Sequence, residues 1–96
     1  MRVLVAYDVN TATAQGERRL RRVARACLDF GQRVQKSVFE CTVTQAQLEA
    51  LRRRLLAEVD LSVDSLRIYR LPEGLELDRE VYGASQDVDF EGPLVL

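Results

Sequence analysis

The sequence lacks histidine and tryptophan altogether, and it contains only two cysteines among its 96 residues. Without histidine, the chain cannot build a histidine-based catalytic dyad or a cysteine–histidine nucleophile, and the usual zinc ligand sets are excluded. Cys27 and Cys41 stand fourteen positions apart, so they form no Cys-x-x-Cys motif. We therefore expect both cysteines to be small buried hydrophobic residues of a protein kept in a reducing compartment.

Long apolar runs are also missing. No stretch approaches the roughly 20 apolar residues that a membrane-spanning helix needs. Near the N-terminus only Val3 to Ala6 are consecutively apolar, which is too short for the apolar part of a secretory signal. Hydrophobic residues make up 47% and charged residues 30% of the chain, as is usual for a soluble globular domain. These features predict a cytoplasmic protein without membrane contact.

The net charge of −1 conceals an uneven distribution of charge along the chain. Residues 1–54 contain 11 Lys or Arg against 5 Asp or Glu, whereas residues 55–96 contain 3 against 10. A basic half is the expected footprint of a surface that binds a polyanion, and the acidic remainder argues against indiscriminate binding of nucleic acid. The alternative is that two solvated faces simply neutralise each other.

Much of the positive charge is predicted to lie on one helix. Over residues 15–30 the apolar residues recur at helical spacing, and Gly31 is expected to end the helix in a left-handed conformation. Arg18, Arg22 and Arg25 share the outer face, because their offsets are four and seven positions. Such arginines could hold successive phosphates through guanidinium groups that are always charged. For any one of them, a solvated helix face is the alternative.

The remaining pattern predicts strands around a second helix. Val3 to Tyr7 are apolar on both alternating faces, which is typical of a central strand covered on both sides. Residues 33–43 form either one strand or two strands joined by a turn near Lys36-Ser37. A capping box predicts a second helix from Thr44 to about Glu58, and a further strand follows at residues 64–71.

This order of elements predicts an α+β fold: a ferredoxin-like βαββαβ sandwich, in which an antiparallel sheet carries two helices on one face. We expect a single ferredoxin-like domain over residues 1–96. Its core would span about residues 1–71, and residues 72–96 would form a short C-terminal β extension and tail.

The predicted sheet leaves a second apolar face without cover in one protomer, and such a face usually marks a partner surface. We therefore predict a homodimer packed sheet to sheet. Tyr7 and Phe39 are assigned mainly to the packing of this interface, and Leu94 and Leu96 are expected to pair with the sheet edge of the other subunit.

Two short segments carry most of the information about function. They are the strand-ending Tyr7-Asp8-Val9 and the run from Arg33 to Glu40, which combines a basic residue, amides, a hydroxyl, an aromatic ring and an acid. Together with an Arg-rich helix that ends at Phe30-Gly31, their order and spacing resemble the CRISPR-associated Cas2 family over about residues 2–71. The segment Asp89 to Val95 further resembles the branch found with subtype I-C systems.

The resemblance implies a ferredoxin-like homodimer in which Asp8 of each protomer faces its counterpart. Members of this family act with the Cas1 integrase in spacer acquisition, where they bridge two integrase dimers and bind duplex DNA. The first hypothesis is therefore a CRISPR adaptation protein of antiviral defence, with the acidic C-terminal segment as the strip that docks the integrase. The alternative is a metal-dependent endonuclease that cuts single-stranded RNA or double-stranded DNA, with Asp8 as the Mg²⁺ ligand.

In the endonuclease interpretation, Asp8 is both the catalytic carboxylate and the metal ligand, and magnesium would activate water and neutralise the phosphate. Asn10 and Thr11 could add neutral oxygens, whereas many relatives have a shorter and more acidic turn in place of Asn10 to Thr13. Arg33 is the preferred cation for the transition state, and it is also counted with Ser37 among the nucleic-acid-binding residues. The structural alternatives are that Asp8 ends a strand and caps a turn, and that Ser37 only forms a turn.

Two further classes of protein share the predicted fold. A ferredoxin-like regulatory domain that binds a small metabolite would explain the fold, but it would explain neither the arginines nor the run from Arg33 to Glu40. A toxin ribonuclease of related structure is the second class, and growth arrest on expression would distinguish it.

Overall fold

Six elements of secondary structure follow one another in the predicted order. The computed structural model describes residues 1–72, 80, 82 and 83. The elements are β1 (Arg2–Asp8), α1 (Ala14–Leu28), β2 (Gly31–Gln35), β3 (Val38–Thr42), α2 (Gln45–Glu58) and β4 (Ser65–Arg70). The segment 33–43 therefore contains two strands, because a turn at Lys36 and Ser37 separates β2 from β3.

The four strands form one antiparallel sheet in the order β2-β3-β1-β4. The first strand is central: Val5 lies opposite Phe39 of β3 and opposite Ile68 of β4. This arrangement confirms the predicted ferredoxin-like α+β fold. It also brings Asp8, the last residue of β1, opposite Ser65, the first residue of β4.

Both helices pack on the same face of the sheet. Burial alternates along β1, where Val3, Val5 and Tyr7 are buried while Leu4 and Ala6 are only partly covered. The core consists of alternate strand residues and one apolar stripe from each helix, as the period-two and helical patterns require. Its helical members are Val23, Ala26 and Cys27 from α1 and Leu48, Leu51 and Leu55 from α2.

The helix starts follow local sequence rules, whereas the end of α1 does not. The Thr44 hydroxyl accepts from Gln47 N–H, and the Gln47 side chain accepts from Thr44 N–H, so the predicted capping box is confirmed. However, α1 ends at Leu28 with an αR residue, Asp29, as its cap. The predicted left-handed Gly31 is wrong, because Gly31 is part of β2 and does not have positive φ.

Gly31 is needed for a different reason, which is the close approach of two strands. A Cβ at this position would lie 2.2 Å from the carbonyl oxygen of Glu40 and 2.6 Å from Sγ of Cys41. The first of these atoms belongs to the backbone of β3 and cannot move without disturbing the sheet. Only glycine therefore allows β2 to pair with β3 above a buried cysteine.

Tyr7 and Phe39 do not lie where a dimer interface was expected. Their side chains are 6% and 0% exposed, and their rings stack on each other with centroids 6.1 Å apart, on the face that the helices cover. Side chains buried to this degree have almost no surface with which to contact a partner, so this prediction is wrong. The reason is the pleat of the strand, which turns Tyr7 inward together with Val3 and Val5.

Several predictions concern residues outside the described part of the chain. Leu94, Leu96 and the segment that resembles subtype I-C fall there, and so does most of the predicted C-terminal β extension. Within the described residues, no helix is both long enough and apolar enough to cross a membrane.

The two cysteines occupy the core, as the sequence predicts. Cys27 is 0% and Cys41 1% exposed, and both are free thiols. Burial raises the pKa of Cys27 to about 12, and the neighbouring Cys41 acts in the same direction. Burial also raises the pKa of Cys41 to about 11.

We expect both thiols to resist modification in the folded protein. The thiolate is the reactive form, and at pH 8 it is scarce for groups with these raised pKa values. Labelling with a thiol reagent at pH 8 should therefore proceed at the rate of unfolding, and both cysteines should react at once in urea. Rapid labelling of either cysteine in the native protein would contradict this placement.

Candidate functional site

Four arginines of α1 form a positively charged groove. Arg18, Arg21, Arg22 and Arg25 line a shallow cavity of about 400 Å³ on the outer face of the helix layer. All four are exposed, and their spacing of three and four positions places them side by side on one face of the helix. We call this surface the arginine groove.

The groove confirms that the predicted arginines lie together, and it adds one residue to them. Arg18, Arg22 and Arg25 were predicted on one face, and Arg21 lines the groove together with them. Arg22 approaches Glu58 of α2 at 3.8 Å, but its side chain is 66% exposed, so this ion pair holds it weakly. The groove thus presents several guanidinium groups to solvent.

Arg19, the remaining arginine of this segment, has a structural role instead. Its Nε donates to Oδ2 of Asp64 at 2.9 Å, and its Nη2 lies 3.4 Å from Oδ1 of the same carboxylate. The Asp64 side chain has no exposed surface, and the Arg19 side chain is only 20% exposed. The contact therefore joins α1 to the residue that precedes β4.

Asp64 also binds two backbone amides. Asn10 N–H donates to Oδ1 at 2.9 Å, and Asp60 N–H donates to Oδ2 at 2.8 Å. One carboxylate thus connects the β1–α1 loop, helix α1 and the α2–β4 loop. We call Asp64 and its partners Asn10, Arg19 and Asp60 the Asp64 clamp. Sequence reasoning missed it, because no local motif joins positions 10, 19, 60 and 64.

The pKa of Asp64 reflects this environment. Burial alone would raise it, but the hydrogen bonds from Arg19 and from the amides of Asp60 and Asn10 outweigh that effect, so the pKa lies below its ordinary value of 3.8. The pKa of Asp60 is lowered as well, chiefly because its carboxylate accepts from the hydroxyl and the amide of Ser62.

Asp8 lies at the end of β1 with its side chain exposed. Since Tyr7 points into the core, the pleat directs Asp8 to the open face of the sheet. Its carboxylate makes no hydrogen bond or ion pair with the residues that the structure describes. Arg67 of β4 lies opposite Ala6 on this same face, diagonally next to Asp8, and sequence reasoning did not single it out.

Arg33, the predicted transition-state cation, lies on the other face. It pairs with Phe39 of β3, and its guanidinium stacks over the Phe39 ring with 5.1 Å between Cζ and the ring centroid. Its Nε is buried and finds no hydrogen-bond partner among the described residues. Within one protomer Arg33 and Asp8 therefore lie on opposite faces of the sheet, and the catalytic role predicted for Arg33 stays a prediction.

Ser37 lies in the turn between β2 and β3, at the same end of the sheet as Asp8. Its carbonyl accepts from Tyr7 N–H at 3.0 Å, so the backbone of the turn extends the pairing with β1. This contact is that of a structural turn residue, while the role of the Ser37 hydroxyl towards phosphate stays a prediction.

One protomer offers few ligands for a metal ion. Within the described residues, no group of three or more His, Cys, Asp or Glu side chains comes together. The Asn10 side-chain oxygen already accepts from Ala12 N–H at 3.0 Å. The exposed Asp8 carboxylate fits Mg²⁺ nevertheless, because this ion keeps several waters and needs only one or two carboxylates together with substrate phosphates. A second Asp8, from another copy of the chain, would supply the second carboxylate.

Comparison with known proteins gives a consistent result. The family described as CRISPR associated protein Cas2 matches residues 1–76. A relative from Moorella thermoacetica, called CRISPR-associated endoribonuclease Cas2 1, is 55% identical over the whole length of both chains. One from Halalkalibacterium halodurans, called CRISPR-associated endonuclease Cas2, is 48% identical over 99% of each.

A solved structure shows the same fold. The crystal structure of Streptococcus pyogenes Cas2 at pH 6.5 superposes with a TM-score of 0.77 and is 49% identical in sequence. The match covers 86% of this chain and 100% of the other.

We expect Asp64→Asn to lower stability at neutral pH and to weaken its dependence on acid. Because the pKa of Asp64 is lower in the folded protein, its charged carboxylate stabilises the fold at pH values above 3.8, the ordinary pKa of aspartate. This contribution is lost as the pH falls through the lower folded-state pKa. At pH 7 the variant should lose about 3 kcal/mol of unfolding free energy, since a buried pair is broken.

Urea unfolding of both proteins between pH 7 and pH 2.5 measures this effect. Asp29→Asn is the matched control, because Asp29 pairs with Arg54 at 2.8 Å on the exposed surface and should contribute little. If Asp64→Asn loses as much stability on acidification as the wild type, Asp64 is not the titrating group.

Proposed function

The chain belongs to the family of CRISPR associated protein Cas2, and from that membership we propose that it binds duplex DNA during spacer acquisition in antiviral defence. In this role it acts in the cytoplasm as a homodimer that bridges two dimers of the Cas1 integrase. The observation that carries the proposal is the arginine groove, which offers a polyanion several exposed guanidinium groups on one helix.

The chemistry of the groove fits a phosphate backbone. Arginine stays charged at every physiological pH and presents a fork of donors that matches phosphate oxygens. Each phosphate that is neutralised releases counterions from the duplex, so binding through the groove is strong at low salt and weakens as salt is added. No base-reading aromatic side chain lines the groove among the described residues, which suits binding independent of sequence.

The open face of the sheet suits the homodimer. Leu4 and Ala6 are partly exposed there, and Tyr69, which pairs with Leu4, is 47% exposed. No described element covers these residues. Packing of this face against its copy in a second protomer would bury them, and it would leave both arginine grooves on the outside of the dimer, where a duplex can reach them.

The acidic part of the sequence suits the integrase partner. Residues 73–96 contain seven Asp or Glu and one Arg. A segment of this charge is repelled by DNA and can bind a basic protein surface instead. In the bridging role, the basic arginine groove would therefore bind DNA, and the acidic segment 73–96 would bind the integrase.

A second candidate function is a metal-dependent endonuclease for RNA or double-stranded DNA. It is favoured by the names of the relatives at 55% and 48% identity and by the exposed, uncommitted carboxylate of Asp8. Mg²⁺ held by Asp8 would supply an activated water and neutralise charge on the scissile phosphate. Arg67, on the same face, lies diagonally next to Asp8, and its Nη1 donates to the Tyr69 hydroxyl at 3.2 Å.

Removal of the groove should weaken DNA binding in a salt-dependent way. We expect a triple variant with Arg18, Arg22 and Arg25 changed to Ala to bind a 30-base-pair duplex at least tenfold more weakly at 100 mM salt. The slope of log affinity against log salt should fall by about 0.9 for each phosphate that the variant no longer neutralises. Fluorescence anisotropy at several salt concentrations measures both quantities.

The matched control changes the same number of charges on α2, namely Arg52, Arg53 and Arg54 to Ala. Its affinity and salt slope should stay close to the wild-type values, because these residues do not line the groove. Equal losses of affinity in both triple variants would show that only the net charge of the protein matters, and they would contradict the proposed role of the arginine groove.

The variant Asp8→Asn separates the two candidate functions. It keeps the size of the side chain and removes the charge that holds a cation. We expect Mg²⁺-dependent cleavage of RNA and DNA to be lost, whereas spacer acquisition with the matching integrase should persist, because bridging needs the arginine groove and the dimer. Acquisition is scored by sequencing new spacers, with dimerisation checked by sedimentation and Asp29→Asn as the control.

The bridging proposal would be overturned if acquisition fails in Asp8→Asn while the dimer and its DNA binding stay intact. In that case the chemistry at Asp8, and not the groove, is what acquisition requires.

A further inference from the structure

The Asp64 clamp holds the two backbone segments that flank Asp8. Asn10, whose amide donates to Asp64, lies two residues after Asp8. Ser65, the cross-strand partner of Asp8, comes directly after Asp64 in the chain. The buried carboxylate is thus attached to the loop that follows Asp8 and to the strand that pairs with it.

A second contact holds the same loop from the side of the helix. A Cβ on Gly16 would lie 1.9 Å from the carbonyl oxygen of Asn10, so the first turn of α1 rests directly on that peptide. The same oxygen lies 3.4 Å from Arg19 Nη2. Both polar groups of the Asn10 backbone are therefore fixed, one by Asp64 and one by Arg19.

From this geometry we infer that Asp64 and Arg19 are positioning residues for Asp8. They touch neither substrate nor metal, and they act by holding the end of β1 and the β1–α1 loop in one conformation. Because the Asp8 carboxylate makes no hydrogen bond or ion pair with the described residues, the backbone alone determines its position. A displacement of about an ångström in a catalytic group greatly lowers the rate of the catalysed reaction. The inference rests on the proposed endonuclease role of Asp8.

Two variants test it against a matched control. Asp64→Asn keeps the shape and one acceptor oxygen, but it removes the charge that pairs with Arg19. Arg19→Lys keeps the charge and loses the fork of two donors, and it serves if Asp64→Asn fails to fold. Arg54→Lys makes the same change in the exposed pair with Asp29, remote from Asp8 in the fold.

Hydrogen exchange provides the readout that is independent of activity. We expect the amides of residues 8–13 to exchange at least tenfold faster in Asp64→Asn and Arg19→Lys, while those of β3 keep their protection. Paramagnetic broadening of the Asp8 resonances by Mn²⁺ should need at least tenfold more metal. For cleavage, kcat should fall about tenfold with little change in KM, because both variants displace Asp8 without removing a residue that is proposed to contact the substrate. Arg54→Lys should match the wild type throughout.

The inference is overturned if the folded variants keep wild-type exchange at residues 8–13 and wild-type broadening by Mn²⁺. It is also overturned if exchange rises equally in β3, since the clamp would then only stabilise the fold as a whole. Absence of cleavage in the wild type would refute the endonuclease proposal alone, and the exchange and Mn²⁺ measurements would still decide whether the clamp positions Asp8.

Discussion

A single buried carboxylate connects the parts of the chain that matter most for function. Asp64 accepts from two backbone amides and from Arg19, and its side chain has no contact with solvent. The free-energy cost of burying a charge without partners is far larger than the stabilisation from any single hydrogen bond. A buried carboxylate is therefore stable only when its oxygens accept several hydrogen bonds. Here the partners come from three separate segments, so filling these acceptors fixes the loop after Asp8, the rotation of α1 and the start of β4 together.

The pleat of the sheet then separates two chemistries. Residues that alternate along β1 point to opposite sides, so Tyr7 packs beneath the helices while Asp8 reaches the open face. The arginine groove lies on the outer side of α1, beyond the helix layer. The proposed phosphate-binding surface and the Asp8 carboxylate therefore lie on different faces of the protomer.

The sequence predicted what depends on near neighbours and failed where distant residues meet. The capping box at Thr44 and the arginine face of α1 rest on spacings of three or four positions, and both were found. Asp64 was missed because its partners lie as far as 54 positions away. Arg33 was predicted to be the transition-state cation for chemistry at Asp8, but the register of β2 against β3 turns it towards Phe39. Register and face require the pairing of strands, which composition does not reveal.

The numbers of charged groups decide which function dominates. Four arginines line one groove, so a dimer would offer eight, and each neutralised phosphate changes the logarithm of affinity by about 0.9 per decade of salt. Within the described residues no group of three or more acidic, His or Cys side chains could hold a metal ion, so Mg²⁺ at the proposed Asp8 site would be held mainly by water and by the substrate. The proposed binding would therefore need one protomer only, whereas the proposed cleavage would draw on a second copy and on the substrate itself. This balance favours the proposed bridging role over the proposed endonuclease role.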